Sequence, residues 1–375
     1  MSSTTTASST SASATSTETC IPMTPNKVGF VPPGACGNIL MYEASFAAAI
    51  LFSVLFGFTT LVHIVQAFVY KKRYAWVVIM GSLWELGAFI TRTLFSKHQT
   101  NETYNTVFTI LFLLAPIWVN AFLYMTLGRL IHFFLPSGRL CGLSAKRFGH
   151  IFVWLEILAF LVQLVGAGFT SNTDASPATI MRGVHIYMGG IGLQQFFIFV
   201  FTGLFIHLQR EIAAIERRRG EDVQDPNADT RYRYNPEYSI DQTPSKDISY
   251  RTAGPWRWLF IAIYASLFLI SVRIIFRLAQ YARGTDTDNP ALLYEWFEYV
   301  WDAAPMFLAL VILNVVHPGR VLRGPESEFP RLSRKEKKQR KREKKEAREY
   351  QKIHGVVDPG MVDMQERGVS GREMC

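Results

Sequence analysis

Long apolar runs alternate with short polar breaks along this chain. The runs cover 44–69, 74–95, 104–134, 150–169, 184–208, 256–281 and 292–316. A helix rises about 1.5 Å per residue, so each run can reach across a hydrocarbon core about 30 Å thick. The pattern predicts an all-α polytopic membrane protein with seven transmembrane helices within 44–316. The stretch 209–255 is polar and carries both charges, which predicts a flexible loop inside that domain. Residues 317–375 form a basic tail, and 1–43 a Ser/Thr-rich N-terminal segment. Its first part, 1–19, lacks the basic start and apolar core of a signal peptide. The first span is therefore expected to act as an uncleaved insertion signal.

Charge sets the orientation. Lys71, Lys72 and Arg73 follow the first span, while Arg139, Lys146 and Arg147 lie between the third and fourth. Arg217, Arg218 and Arg219 follow the fifth, and the tail follows the seventh. The other side holds Lys27, Lys97, Arg182 and Arg283, one to each segment. With seven spans, every basic-rich segment falls on one face, which predicts an N-terminus outside and a C-terminus in the cytosol. The net charge of +9 is mostly the tail's contribution, where 334–348 reads RKEKKQRKREKKEAR. Two readings fit that run: contact with anionic inner-leaflet lipid, or a solvated charged helix. A nucleic-acid partner is not expected.

Cys20 and Cys36 share the external segment, where oxidation is permitted, and are candidates for a disulfide. Cys141 and Cys375 face the cytosol and are expected to be free thiols. Asn101 opens the sequon Asn101-Glu102-Thr103, but its loop is too short to lift a sugar acceptor well clear of the bilayer.

The candidate chemistry lies in polar residues inside the apolar runs. Glu85 and Arg92 sit in the second, Glu156 and Gln163 in the fourth, and Gln194 in the fifth. Arg273 and Arg277 sit in the sixth, and Glu295, Glu298 and Asp302 in the seventh. A charge at membrane depth costs at least about 2.5 kcal/mol, so each calls for a partner, water or a purpose. Arginines four apart share a helix face, as do acids spaced three and seven apart. Alternating span directions bring Arg92, Arg273, Arg277, Glu295, Glu298 and Asp302 to overlapping depths, with Glu85 near the middle. Two compatible readings follow. One is an ion-pair network that fixes helix order; the other is a polar cavity, open to the outer leaflet, that meets lipid headgroups. Pro116 and Pro305 are expected to kink their helices. Gly166, Gly168, Gly189, Gly190 and Gly192 are expected to let helices approach closely.

Several activities lack their motifs. The chain has no GxxxxGK[ST] phosphate loop, HExxH helix, CxxC pair or GxSxG elbow, and no lysine in the fifth or seventh span for retinal. No metal, cofactor or enzymatic activity is expected.

The motifs Glu85-Leu-Gly-Ala88-Phe89-Ile-Thr-Arg92 and Leu114-Ala115-Pro116 with Tyr124-Met125 and Gly128-Arg129 carry a resemblance. So do Glu156, Gln163, Gly166 and Gly168 by their spacing, and Gly190 to Gln194. Arg273-Ile-Ile-Phe276-Arg277, Gly284, Glu295-Trp296, Asp302 and His317-Pro318-Gly319 complete the set. The chain resembles the fungal lipid-translocating exporter family from about Tyr42 to Gly319. Gln280 departs from it, standing where that family usually has Glu. The resemblance implies transport of amphipathic lipids such as sphingoid bases or aminosterols, and resistance to toxic amphiphiles. A plasma-membrane location is expected, with the vacuole or another endomembrane as the alternative. The alternative functions are a seven-span receptor or sensor and an indirect regulator of lipid asymmetry.

Overall fold

The computed structural model describes residues 21–33, 35–36, 39–135, 137–170, 176–224, 256–282 and 289–322, together with Phe329 and the isolated tail positions Gln339, Arg342, Glu343 and Glu346. Six long helices come first: α1 (Phe46–Tyr70), α2 (Trp76–Phe95), α3 (Glu102–Phe134), α4 (Ala145–Thr170), α5 (Pro177–Gln224) and α6 (Trp256–Tyr281). A short helix, α7 (Pro290–Leu293), precedes the last span, Trp296–Arg320. That span begins with a helical turn (Trp296–Glu298), passes through a π-helical turn (Tyr299–Ala303) and continues as α8 (Ala304–Val315). Among the described residues, seven helices are long and apolar enough to cross a membrane, and the chain is an all-α, seven-span membrane protein.

Sequence neighbours pack against each other from α1 to α5; α6 lies on α5 and α8, and α8 returns to α1, closing the bundle. Phe89 marks the seam where α1, α2, α3 and the last span meet, its ring near those of Phe56 (5.2 Å), Phe112 (5.7 Å) and Tyr299 (6.0 Å). Leu51, Val54, Phe58 and Phe68 stay exposed on the outer face of α1, as lipid-facing positions should. At the C-terminal end of α1, Gln66 donates to the Asn314 carbonyl (2.6 Å) and His317 stacks on Tyr70 (4.8 Å between rings).

Pro116 leaves α3 continuous to Phe134. At Pro305 the ladder does change. The Trp301 carbonyl has no N–H four residues on, and the helix takes up the mismatch as the π-turn just ahead of the proline, where Ala304 N–H donates to Tyr299.

Three glycines bring α4 and α5 into backbone contact. A Cβ on Gly166 would overlap the Tyr187 nitrogen and lie 2.7 Å from the Gly183 carbonyl. One on Gly190 would lie 2.8 Å from the Gln163 nitrogen. Gly183 belongs to this seam although it was not among the glycines expected there. Gly168, Gly189 and Gly192 do not: nothing stands within 4 Å of the Cβ each lacks.

Helix α5 runs on to Gln224, so the first part of 209–255 is helical rather than a loop. The reason is packing against α6: Ile212 is buried, Tyr264 donates to Gln209 (2.7 Å), and Trp256 Nε1 donates to Glu216 (3.0 Å). Residues 225–255 lie outside the described residues, as do 1–20 and most of 334–348.

Between α3 and α4, strands β1 (Arg139–Leu140) and β2 (Leu143–Ser144) form a hairpin. Cys141 and Gly142 make its turn with positive φ at both positions, as a type I′ turn requires. Cys141, exposed at this tip, is disulfide-bonded, which corrects the expectation of a free thiol drawn from its compartment. Cys36 is also disulfide-bonded, while Cys20 and Cys375 lie outside the described residues.

Asn101 caps α3, its side-chain oxygen accepting from the Thr103 and Tyr104 amides. Asn101→Asp removes the sequon and keeps the cap, whereas Asn101→Ala removes both and is expected to cost about 1 kcal/mol. Thermal unfolding of the two purified variants checks this: equal loss in both would show that the cap is not what matters there.

Candidate functional site

The segment before α1 folds over the α2–α3 connection. Val28 accepts from the Gln99 amide (3.0 Å), and the Gln99 side chain accepts from the Ala44 amide (3.0 Å). This places Tyr42 and Ser45 at the end of the bundle where α2 and α6 finish and α3 and the last span begin.

A continuous chain of charges runs inward from there. Glu295 accepts from Ser45 N (2.8 Å) and pairs with Arg92 (3.1 Å). Arg92 also donates to the Tyr42 hydroxyl (2.9 Å) and faces Glu298 at 3.6 Å, while Tyr42 donates to Glu298 at 3.0 Å. Burial, and then the Glu298 carboxylate, push the Tyr42 phenol well above its ordinary range, so it keeps its proton for that bond. Glu298 reaches Arg277 at 3.9 Å. Asp302, fully buried in the π-turn, then holds two cations, Arg273 on Oδ1 and Arg277 on Oδ2. Arg273 ends the chain by donating to the Phe112 carbonyl of α3 (3.0 Å). The ring of Phe112 lies under both guanidiniums, at 4.9 Å from Arg273 and 5.3 Å from Arg277. Arg92 sits over Phe108 in the same way, at 4.9 Å.

Three cations, Arg92, Arg273 and Arg277, thus meet three anions, Glu295, Glu298 and Asp302. Glu85 stands outside this balance. It is completely buried on the α2 face that carries Arg92, and neither of its carboxyl oxygens has a hydrogen-bond partner among the described residues.

The other polar candidates form a separate group between α3, α4 and α5. Glu156 accepts from Tyr124 and, at 3.2 Å, from Asn120. Gln163 donates to Gln194 (3.1 Å). A cavity of about 30 Å³ lies between that glutamine pair and Arg273 and Arg277, roomy enough for a water with polar partners on both sides. Among the described residues, no group of three or more His, Cys, Asp or Glu could hold a metal ion.

Sequence reasoning missed Tyr42, Ser45, the Phe112 carbonyl and Asn120. Tyr42 precedes the first apolar run and Ser45 stands at its very start, and a backbone carbonyl carries no sequence signal. Asn120 lies one turn from Tyr124 on the same face of α3, which is the signal that could have paired it with Glu156.

Residues 78–325 match the family described as RTA1 like protein. The chain belongs to the RTA1-like family. It is 65% identical over 372 residues to a protein of Emericella nidulans named "Probable lipid transporter atnI", covering 96% of this chain and 91% of that one. It is 23% identical over 281 residues to the Saccharomyces cerevisiae "Sphingoid long-chain base transporter RSB1", covering 74% of this chain and 72% of that one. "Protein RTA1" of the same yeast is 25% identical over 306 residues, covering 75% and 85%. No solved structure matches the chain. The RTA1-like match takes in Glu85, Arg92, both α6 arginines and all three acids of the last span. Tyr42 and Ser45 fall before it.

Proposed function

We propose that this protein moves amphipathic lipids of the sphingoid-base or aminosterol type across a membrane, and so protects the cell from toxic amphiphiles. The observation that carries this reading is the likeness, along nearly the whole chain, to a protein named as a lipid transporter. The more distant relative named for sphingoid bases points the same way. The site agrees in kind: charges desolvated in a bundle core, beside a small polar cavity, suit recognition of a lipid headgroup better than bond-breaking chemistry. We read the protein as a transporter and not an enzyme.

In this reading the N-terminal segment lies outside and the tail in the cytosol, following the Lys and Arg bias of the connecting segments. The charge chain from Glu295 to Arg273 then occupies the outer half of the bundle. The residues proposed to meet or position the lipid are Glu85, Arg92, Arg273, Arg277, Glu295, Glu298 and Asp302, with Glu156, Gln163 and Gln194 on the inner side. The plasma membrane is the proposed location, and 334–348 is proposed to touch anionic inner-leaflet lipid.

Expression of the full chain in cells preloaded with labelled long-chain base is expected to raise its release into the medium. Equal release with and without expression would overturn the reading for that substrate.

A further inference from the structure

A second opening lies apart from the charge chain, between α6, α7 and the start of the last span. It has a volume of about 660 Å³, within the range that takes one small ligand (about 300–1,000 Å³). One face of α6 forms its wall, with Val272, Ile275, Phe276 and Ala279 at helical spacing, and Phe297 and Trp301 close the other side. Ile275 and Trp301 are also exposed on the lipid-facing surface, so the groove opens sideways.

Two polar side chains, Gln280 and Asn289, interrupt this apolar lining. The backbone carbonyl of Gln280 accepts from Asn289 Nδ2 (2.7 Å), and its own Nε2 donates to the Ala291 carbonyl (3.3 Å). Its Oε1 is buried and has no hydrogen-bond partner among the described residues. A buried acceptor left unpaired carries an uncompensated desolvation cost, which a donor on an incoming molecule would recover. No charged side chain lines the groove among the described residues. A cationic head would therefore arrive without a counter-charge, and an anionic head would face an acceptor.

We infer that this groove binds a single-chain lipid whose polar end is neutral and offers an N–H or O–H to Gln280 Oε1. The inference rests on the lipid-transport reading for its purpose: the groove would be a lateral port for neutral single-chain lipids, beside the path taken by the amine-bearing ones. Gln280 lies one turn beyond Arg277, and Trp301 adjoins Asp302, so a head released from the groove passes directly to the charge chain.

Binding of three lipids with the same C18 chain tests this on the purified full chain in detergent, with no gradient or transport step. They are oleamide (neutral donor), N,N-dimethyloleamide (neutral, no donor) and oleylamine (cation). Oleamide is expected to bind about tenfold tighter than either of the others. Gln280→Leu should erase that preference, Gln280→Glu should turn it toward oleylamine, and Ala279→Phe should weaken all three by filling the groove. Equal affinities in the unaltered protein, the mark of a groove that holds bulk lipid, would overturn the inference. So would a preference that survives Gln280→Leu, or binding unchanged by Ala279→Phe. If the preference holds and long-chain base is not released from cells, the transport reading fails and the groove stands. If release holds without the preference, the groove alone fails.

Discussion

Asp302→Asn is expected to be among the most damaging single changes in this protein. The carboxylate holds Arg273 with one oxygen and Arg277 with the other, and all three groups are largely shielded from solvent. Asparagine offers one acceptor and no charge. Two desolvated guanidiniums would remain, with Glu298, 3.9 Å from Arg277, as the nearest anion. Removing one member of a buried ionic set costs about 3–5 kcal/mol because the remaining charges are uncompensated. The thermal midpoint of the purified variant should fall sharply, and lipid release should fall with it. A triple variant separates the two effects. Asp302→Leu with Arg273→Met and Arg277→Met replaces the charges by apolar groups of similar length, and such replacements are often neutral or stabilising. It should recover most of the lost stability while release stays low. Full recovery of release would mean that the charges only hold the bundle together.

The second large effect is expected at the α4–α5 seam. Gly166→Val would drive a branched side chain into the backbone of α5, where the Tyr187 nitrogen and the Gly183 carbonyl leave no room. Neither atom can swing aside as the end of a flexible side chain can. Overpacking costs about 1–3 kcal/mol, and the upper end is expected here. Because Gln163 and Gln194 face each other across this same seam at 3.1 Å, separating the helices should also break that bond. Gly168→Ala is the matched control: with nothing within 4 Å, it should change stability by less than about 0.5 kcal/mol. Equal losses in the two variants would show that close approach is not the role of Gly166.

The spans were legible because lipid enforces them: an apolar run long enough to cross has few other uses, and α6 begins and ends where hydropathy predicts. The polar residues inside them stood out for the same reason. Their partners were harder to see. That Arg273 would share Asp302 with Arg277 depends on helix rotation, which spacing constrains only to a face. That it would also reach the Phe112 carbonyl depends on the approach of α3, which no residue type announces. The α5 extension was hidden because Gln209, Glu211 and Glu216 read as linker composition, although Gln209 and Glu216 find partners on α6 and Ile212 is buried. The glycines show the limit plainly. Gly166 and Gly168 carry the same signal in sequence, and only the position of α5 tells them apart.

The π-turn at Tyr299–Ala303 also sets the rotation of the residues that precede it. A π-turn amounts to one residue inserted into an α-helix, and each residue in such a helix advances the side chains by about 100°. The acids at 295, 298 and 302 therefore sit on a dial whose setting depends on chain length between Glu298 and Pro305, not only on which residues are present. Losing or gaining a single residue there would turn Glu295 and Glu298 together, away from Arg92 and toward lipid, with every charged side chain still in place. Between relatives, this stretch should tolerate changes of side chain far better than changes of length.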